Sequence, residues 1–318
     1  MNKKIPIGAI GLGLMGSSIV TCLLAAGHPV TAITNNLEKK DEALKRIEEY
    51  LIQLVTEGFL KQNPAAVLSQ LRITDDYGDL KGHSIVLESV TESVQEKKKI
   101  YHQLENVLSP DAIIGSNTSS IPVTLLQSDL THPERMLGIH WAEPAHITRF
   151  MEIVCGEKTN ITLAEKVVRL AESWGKEPSL LRKDIRGFIT NRIMYAMLRE
   201  AFYLVENGYA TIEDVDRSLR NDLGYWITFA GPFRFMDLTG IPAYLSVMRD
   251  LFPELNNERT VPASIERLVK EGAKGTANAK GFYDYTETSA KRWEKLFVDF
   301  SFEIRKLAEK YPQHVGDE

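Results

Sequence analysis

Four side chains in this sequence are of the right type to move a proton and a hydride together: Ser119, His140, Glu152 and Asn191. His140 ends an apolar run, and Glu152 sits inside the next one, Phe150-Met151-Glu152-Ile153-Val154. A carboxylate in so apolar a strand is expected to be buried, and an unpaired buried carboxylate costs several kcal/mol, so it needs a partner. His140 supplies one. An imidazole oriented by a carboxylate is a general base that can take a hydroxyl proton as hydride leaves the same carbon, and the acid of the reverse step. Ser119, in Ser116-Asn117-Thr118-Ser119-Ser120, can hydrogen-bond the reacting oxygen. Asn191 lies at the start of a helix in Gly187-Phe188-Ile189-Thr190-Asn191.

Such chemistry needs a hydride acceptor, and the N-terminal residues offer a place for one. Ile5 to Ile10 reads as a short buried strand, followed at once by Gly11-Leu12-Gly13-Leu14-Met15-Gly16 and an apolar helix ending at Gly27. Glycines between a strand and a helix let the backbone turn tightly and bring the helix N-terminus to a diphosphate. The second strand, Val30 to Thr34, completes a βαβ unit. Its end departs from the usual pattern: Thr34 and Asn35 stand where NAD sites place an acid for the ribose hydroxyls. No arginine adjoins it to hold a 2′-phosphate, although Lys39 and Lys40 follow. NAD is the expected cofactor, with NADP not excluded.

The remaining elements must hold these residues in place. Residues 37–71 are charged with helical apolar spacing, punctuated at Asn63-Pro64, and predict a helical-hairpin insertion. Strands at 72–74, 84–89, 112–116 and 135–140 alternate with helices such as Val94 to Leu108, which argues for a parallel sheet covered on both faces. Within that helix, Glu96-Lys97-Lys98-Lys99 reads as a solvated face. After Asp184 strands give way to helices, with Thr211 as an N-cap. The expected architecture is therefore α/β: a doubly wound dinucleotide-binding domain at 1–185 and an all-α domain at 186–318.

Composition sets further bounds. The 318 residues, 43% hydrophobic and 25% charged, suit a two-domain globular protein. A net charge of -5 argues against a general nucleic-acid binder. No segment reaches the ~20 apolar residues of a membrane span. Two cysteines, Cys22 and Cys155, and seven histidines form no metal-ligand pattern, and a reducing cytoplasm is the expected compartment.

The ordered set of motifs resembles the L-3-hydroxyacyl-CoA dehydrogenase family over essentially the whole chain. It comprises the glycine motif, Glu92 to Lys97, the serine-rich run with Asn117, the His140 to Glu152 spacing, residues 184–192, Gly231-Pro232-Phe233 and 280–285. The resemblance implies a Rossmann domain followed by a helical domain that forms a homodimer. It also implies a His140–Glu152 dyad, substrate contacts from Ser119 and Asn191, a cofactor site lined by Glu92 and Lys97, and a small-molecule substrate of fatty acid metabolism. The simplest such substrate is a short 3-hydroxyacyl-CoA. Three departures keep a second reading open: Thr34 in place of an acid, Trp141 and Glu143 within His140 to Pro144 where the family has HFFNP, and an aromatic run around Trp226. Glu143 should favour imidazolium at His140 unless Arg149 neutralises it. These residues are candidates for selecting a small hydroxy acid or polar alcohol without CoA, as in the branch acting on gulonate, carnitine or pyridine alcohols. A non-catalytic dinucleotide-binding protein is a third reading, disfavoured by the intact set of four.

Overall fold

The computed structural model describes residues 4–311, so the outermost ends of both expected domains lie outside the described residues. The chain divides into two compact units, Met1–Arg192 and Ile193–Glu318.

The first unit is built on an eight-stranded sheet. In chain order its elements are β1 (Ile7–Ile10), α1 (Leu14–Ala25), β2 (Val30–Ile33), α2 (Lys40–Thr56), α3 (Pro64–Leu68), β3 (Leu71–Thr74), β4 (Ile85–Glu88), α4 (Val94–Val107), β5 (Ile113–Ser116), α5 (Val123–Leu126), β6 (Met136–Trp141), β7 (Phe150–Cys155), α6 (Ile161–Glu172) and β8 (Glu177–Leu181). The strand order is β3-β2-β1-β4-β5-β6-β7-β8. β1 and β4 are wholly buried runs, as expected where helices cover both faces of parallel strands. Val86, Tyr101, Leu104 and Ile114 share one continuous core under α4.

Two features differ from the sequence expectation. The sheet is not wholly parallel, because β7 pairs antiparallel with β6 through a hairpin-like return. β8, which the sequence reading passed over, then extends the sheet parallel to β7. Its Pro178 and alternating exposure give no strand-like apolar run, and an edge strand tolerates both.

The helices at 40–56 and 64–68 are those expected in the hairpin insertion, with Asn63 capping the second through its side chain. Gly27 follows the C-terminus of α1 with a φ of 85°, the left-handed conformation that favours glycine there.

The second unit holds most of α7 (Thr190–Glu206), then α8 (Ile212–Asn221), α9 (Leu223–Ile227), α10 (Pro232–Thr239), α11 (Ile241–Leu251), α12 (Ala263–Lys270) and α13 (Glu287–Ala308). The Thr211 side chain accepts a hydrogen bond from the Asp214 N–H and caps α8. The division between units falls in the first turn of α7, a few residues beyond the expected boundary.

Candidate active site

The site gathers at the C-terminal ends of the parallel strands, where β1 and β4 lie side by side and the connections leave in opposite directions. This is the switch point at which open α/β sheets bind ligands. A cavity of about 700 Å³ opens here. Its walls include Gly11 to Leu14 after β1, Thr34 and Asn35 after β2, and Ser89 to Thr91 after β4.

The backbone fits a dinucleotide. Gly11 has a φ of 91°, and a Cβ there would lie 2.6 Å from the Ser89 carbonyl oxygen. A Cβ on Gly13 would meet nothing within 4 Å, so its absence leaves open space at the end of α1. Gly13 gives α1 no side-chain cap, and the first turn carries no acid. The free N–H groups and dipole of α1 are therefore turned to an anion. Thr34 is folded into its own turn: its hydroxyl accepts from the Asn36 N–H at 3.2 Å, and Asn35 remains exposed on the cavity wall.

Glu152 and His140 are register partners across β6 and β7. Directly opposed residues of an antiparallel pair project to one face with Cβ atoms ~5 Å apart, which explains the sequence spacing. His140 Nδ1 lies 2.8 Å from Glu152 Oε2, and the carboxylate is 1% exposed. The other carboxylate oxygen accepts from the N–H groups of Ile189 and Thr190 at 3.1 and 2.9 Å. Burial pushes the Glu152 carboxyl up, but the His140 hydrogen bond and these two amides outweigh it and hold it below the usual value. With Glu152 accepting from Nδ1–H, His140 presents Nε2 as an acceptor.

Phe188 is a residue that sequence reasoning missed. It is buried, has a φ of 51°, and sets its ring 5.7 Å from that of His140, which Phe150 meets edge-on from 5.3 Å. A non-glycine residue in this conformation costs about 1–3 kcal/mol. Here it turns the next two amides onto Glu152. Gly187 before it, also at positive φ, was the available signal.

Asn191 and Ser119 meet: the Asn191 carboxamide donates to the Ser119 carbonyl at 2.8 Å. Since Thr190 holds Glu152, the four sequence-predicted residues form one linked set. Glu92 organises the serine-rich loop, accepting from the Thr118 hydroxyl at 2.6 Å and the Ser119 N–H at 2.9 Å. Asn117 ties the strand ends together, accepting from Trp141 N–H and donating to the Ser89 hydroxyl.

Several expectations are corrected. Lys97 neither lines the cavity nor belongs to a solvated face; it is wholly buried, 2.7 Å from Glu88 and 3.3 Å from Glu92. Glu88, equally buried, also accepts from the Tyr101 and Ser116 hydroxyls. Trp141 is core rather than a selectivity wall, stacked on Trp174 with ring centroids 5.7 Å apart. Arg149 pairs with Glu177 at 3.1 Å, not with Glu143, which is exposed. Trp226, in the helical unit, stacks on Phe235 at 4.1 Å.

A dinucleotide crevice tied through Asn117 to the strand end that carries a buried imidazole–carboxylate pair defines a nicotinamide-dependent dehydrogenase. Family models bear this out in detail. The NAD-binding domain of 3-hydroxyacyl-CoA dehydrogenase matches residues 6–185, and the C-terminal domain of the same enzyme matches 187–285. This chain belongs to the 3-hydroxyacyl-CoA dehydrogenase family, whose NAD-binding domain it carries.

Among its relatives, 5-formyl-3-hydroxy-2-methylpyridine 4-carboxylate 5-dehydrogenase of Mesorhizobium japonicum is 34% identical, covering 95% of this chain and 98% of its own. The 3-hydroxybutyryl-CoA dehydrogenase of Clostridioides difficile is 29% identical over 88% of this chain and 99% of its own. In structure, a 5-formyl-3-hydroxy-2-methylpyridine 4-carboxylic acid 5-dehydrogenase, described as an NAD+-dependent dismutase, superposes with a TM-score of 0.90 at 31% identity, covering 97% of this chain and all of its own. The (S)-3-hydroxybutyryl-CoA dehydrogenase of Ralstonia eutropha gives 0.74 at 28% identity, covering 89% and 100%.

Proposed function

We propose that this enzyme interconverts a short 3-hydroxyacyl-CoA and its 3-oxoacyl-CoA. NAD, when bound, accepts the hydride. His140 Nε2 takes the hydroxyl proton, Glu152 steadies the imidazolium that results, and Ser119 and Asn191 orient the reacting oxygen. The observation that carries this reading is the cross-strand His140–Glu152 pair, in a chain that also carries the glycine crevice and is matched by both family domains.

A second reading keeps the chemistry and exchanges the thioester for a small hydroxy acid or polar alcohol. Two observations favour it. The pyridine-carboxylate dehydrogenase matches more of the chain, and with a higher TM-score, than the butyryl-CoA enzyme. Beyond Arg46, α2 carries Glu48 and Glu49, and no cation follows before Lys61. A CoA tail brings several phosphate charges and binds best where cations gather.

NADH oxidation with acetoacetyl-CoA, with free acetoacetate and NADPH as parallel controls, separates the two. Rapid turnover of the thioester alone is the expected result. NADH binding without thioester turnover transfers the assignment to the small substrate.

The proposal extends to a homodimer through the helical unit. Among the described residues of that unit only Ala230, Ala290 and Phe302 are buried apolar side chains, while Tyr225, Phe229, Phe233, Phe252 and Phe300 are more than half exposed. So much exposed apolar surface calls for a cover. Sedimentation should give twice the chain mass, and a monomer at micromolar concentration ends the proposal. No helix among the described residues is long and apolar enough to cross a membrane. The buried free thiols of Cys22 and Cys155 suit the reducing cytoplasm, which we assign as the compartment.

A further inference from the structure

We infer that Arg46 is a binding residue for the cofactor's diphosphate, and that it takes over anchoring which a carboxylate at position 34 would otherwise give. The inference rests on NAD occupying the crevice. Arg46 lies on α2, yet it reaches back over the glycine loop: Nη1 donates to the Ser17 hydroxyl at 3.1 Å and to the Leu12 carbonyl at 3.4 Å. Nη2 donates to Glu42, one helical turn earlier, at 2.6 Å. The side chain is 21% exposed and lines the same cavity as Gly11 to Leu14.

A guanidinium has five N–H donors, and these contacts leave the Nε–H and one Nη2–H over. Its charge stands at the uncapped N-terminus of α1, where Nη1 meets Leu12 just before Gly13 and Ser17 in the first turn after it. Two independent positive features thus converge on one small volume, and a diphosphate is the anion a dinucleotide brings there.

Other charges line this cavity: Lys39, Lys40 and Lys99, with Glu42, Asp75 and Glu96. Only Arg46 among them is hydrogen-bonded to the glycine loop itself. The pair with Glu42 holds little stability of its own, since Glu42 is 65% exposed. Its effect is to fix the fork of the guanidinium toward the loop. Thr34, turned onto Asn36, offers the ribose a hydroxyl in place of an ionic acceptor, so the charge contact with the cofactor moves from the ribose to the phosphates.

The test is binding, measured apart from turnover. NADH is titrated by fluorescence, and ADP-ribose and adenosine by calorimetry, against wild type, Arg46→Ala and Arg46→Lys. Loss of a charge-assisted contact should weaken NADH and ADP-ribose by about tenfold or more in Arg46→Ala. Adenosine should bind unchanged, and Arg46→Lys should recover part of the loss. Wild-type affinity should also fall more steeply with salt than that of the alanine variant. Unchanged affinity for ADP-ribose overturns the inference. So does an equal loss for adenosine, which would make Arg46 a support for the groove alone. Arg46→Gln removes the charge while keeping a polar side chain suited to a helix, and decides the matter if the alanine variant does not fold: it must lose ADP-ribose affinity and keep that for adenosine, and retention of ADP-ribose affinity overturns the inference.

Discussion

His140→Ala should lower turnover by roughly 10²- to 10⁴-fold, the contribution of a positioned general base, while NADH still binds. In the proposed mechanism the imidazole takes the hydroxyl proton, and His140 is not among the residues lining the glycine crevice, so the loss should fall on kcat. Glu152→Gln removes the charge that stabilises imidazolium; with its amide oxygen turned to His140 it holds the ring, while its NH2 group cannot accept from the Ile189 and Thr190 N–H groups, and turnover should fall less. Wild-type rates in both variants would sink the mechanism.

Glu152 also makes a second, independent readout available. Its folded-state pKa lies below the ordinary carboxylate value of 4.5, because hydrogen bonds from His140, Thr190 and Ile189 outweigh burial. A depressed carboxylate contributes stability that is fully present above the unfolded pKa and is lost as pH falls through the folded one. The stability gap between wild type and Glu152→Gln should thus be widest near neutrality and close below about pH 4.5. Thermal unfolding across that range measures it, and a gap independent of pH contradicts the assigned hydrogen bonds.

Much of this site was legible because its determinants are local. The glycine motif sits between a strand and a helix within a few residues. The spacing of His140 and Glu152 is set by one return between adjacent strands. What was hidden depends on partners far along the chain. Lys97 stands in a run of four charges on an exposed-looking helix, and only the folding of α4 over the end of β4 sets it against Glu88. Trp141 follows His140, so it reads as a site residue. Its ring instead stacks on Trp174, which follows the end of α6, and the Lys176 ammonium lies over it at 5.0 Å. Arg149 sits near Glu143 in sequence, yet β8 brings Glu177 closer. Phe188 adopts a backbone conformation that composition argues against, and only the carboxylate it serves accounts for it.

The larger stability effect belongs to Lys97→Ala, which should destabilise the first unit by about 3–5 kcal/mol, the cost of stripping one partner from a buried ion pair. Glu88 would be left fully buried with its charge opposed only by the Tyr101 and Ser116 hydroxyls and the Val90 N–H. Tyr101 stays a neutral donor to Glu88, because burial, and then Glu88 itself, push its hydroxyl well above the usual range. The pair Lys97→Met with Glu88→Gln should therefore recover most of the loss, since apolar or neutral replacement of both partners is often nearly neutral. Urea unfolding of the single and paired variants checks this, and a single-variant loss under about 1 kcal/mol, ordinary for an exposed pair, contradicts the burial. Function should follow stability here. Glu92 loses its 3.3 Å cation and with it part of the hold on Thr118 and Ser119, although its bond from the Thr118 hydroxyl remains. The loop that carries Ser119 to Asn191 then loosens, and KM for the hydroxy substrate should rise even where the folded fraction is restored by working at low temperature.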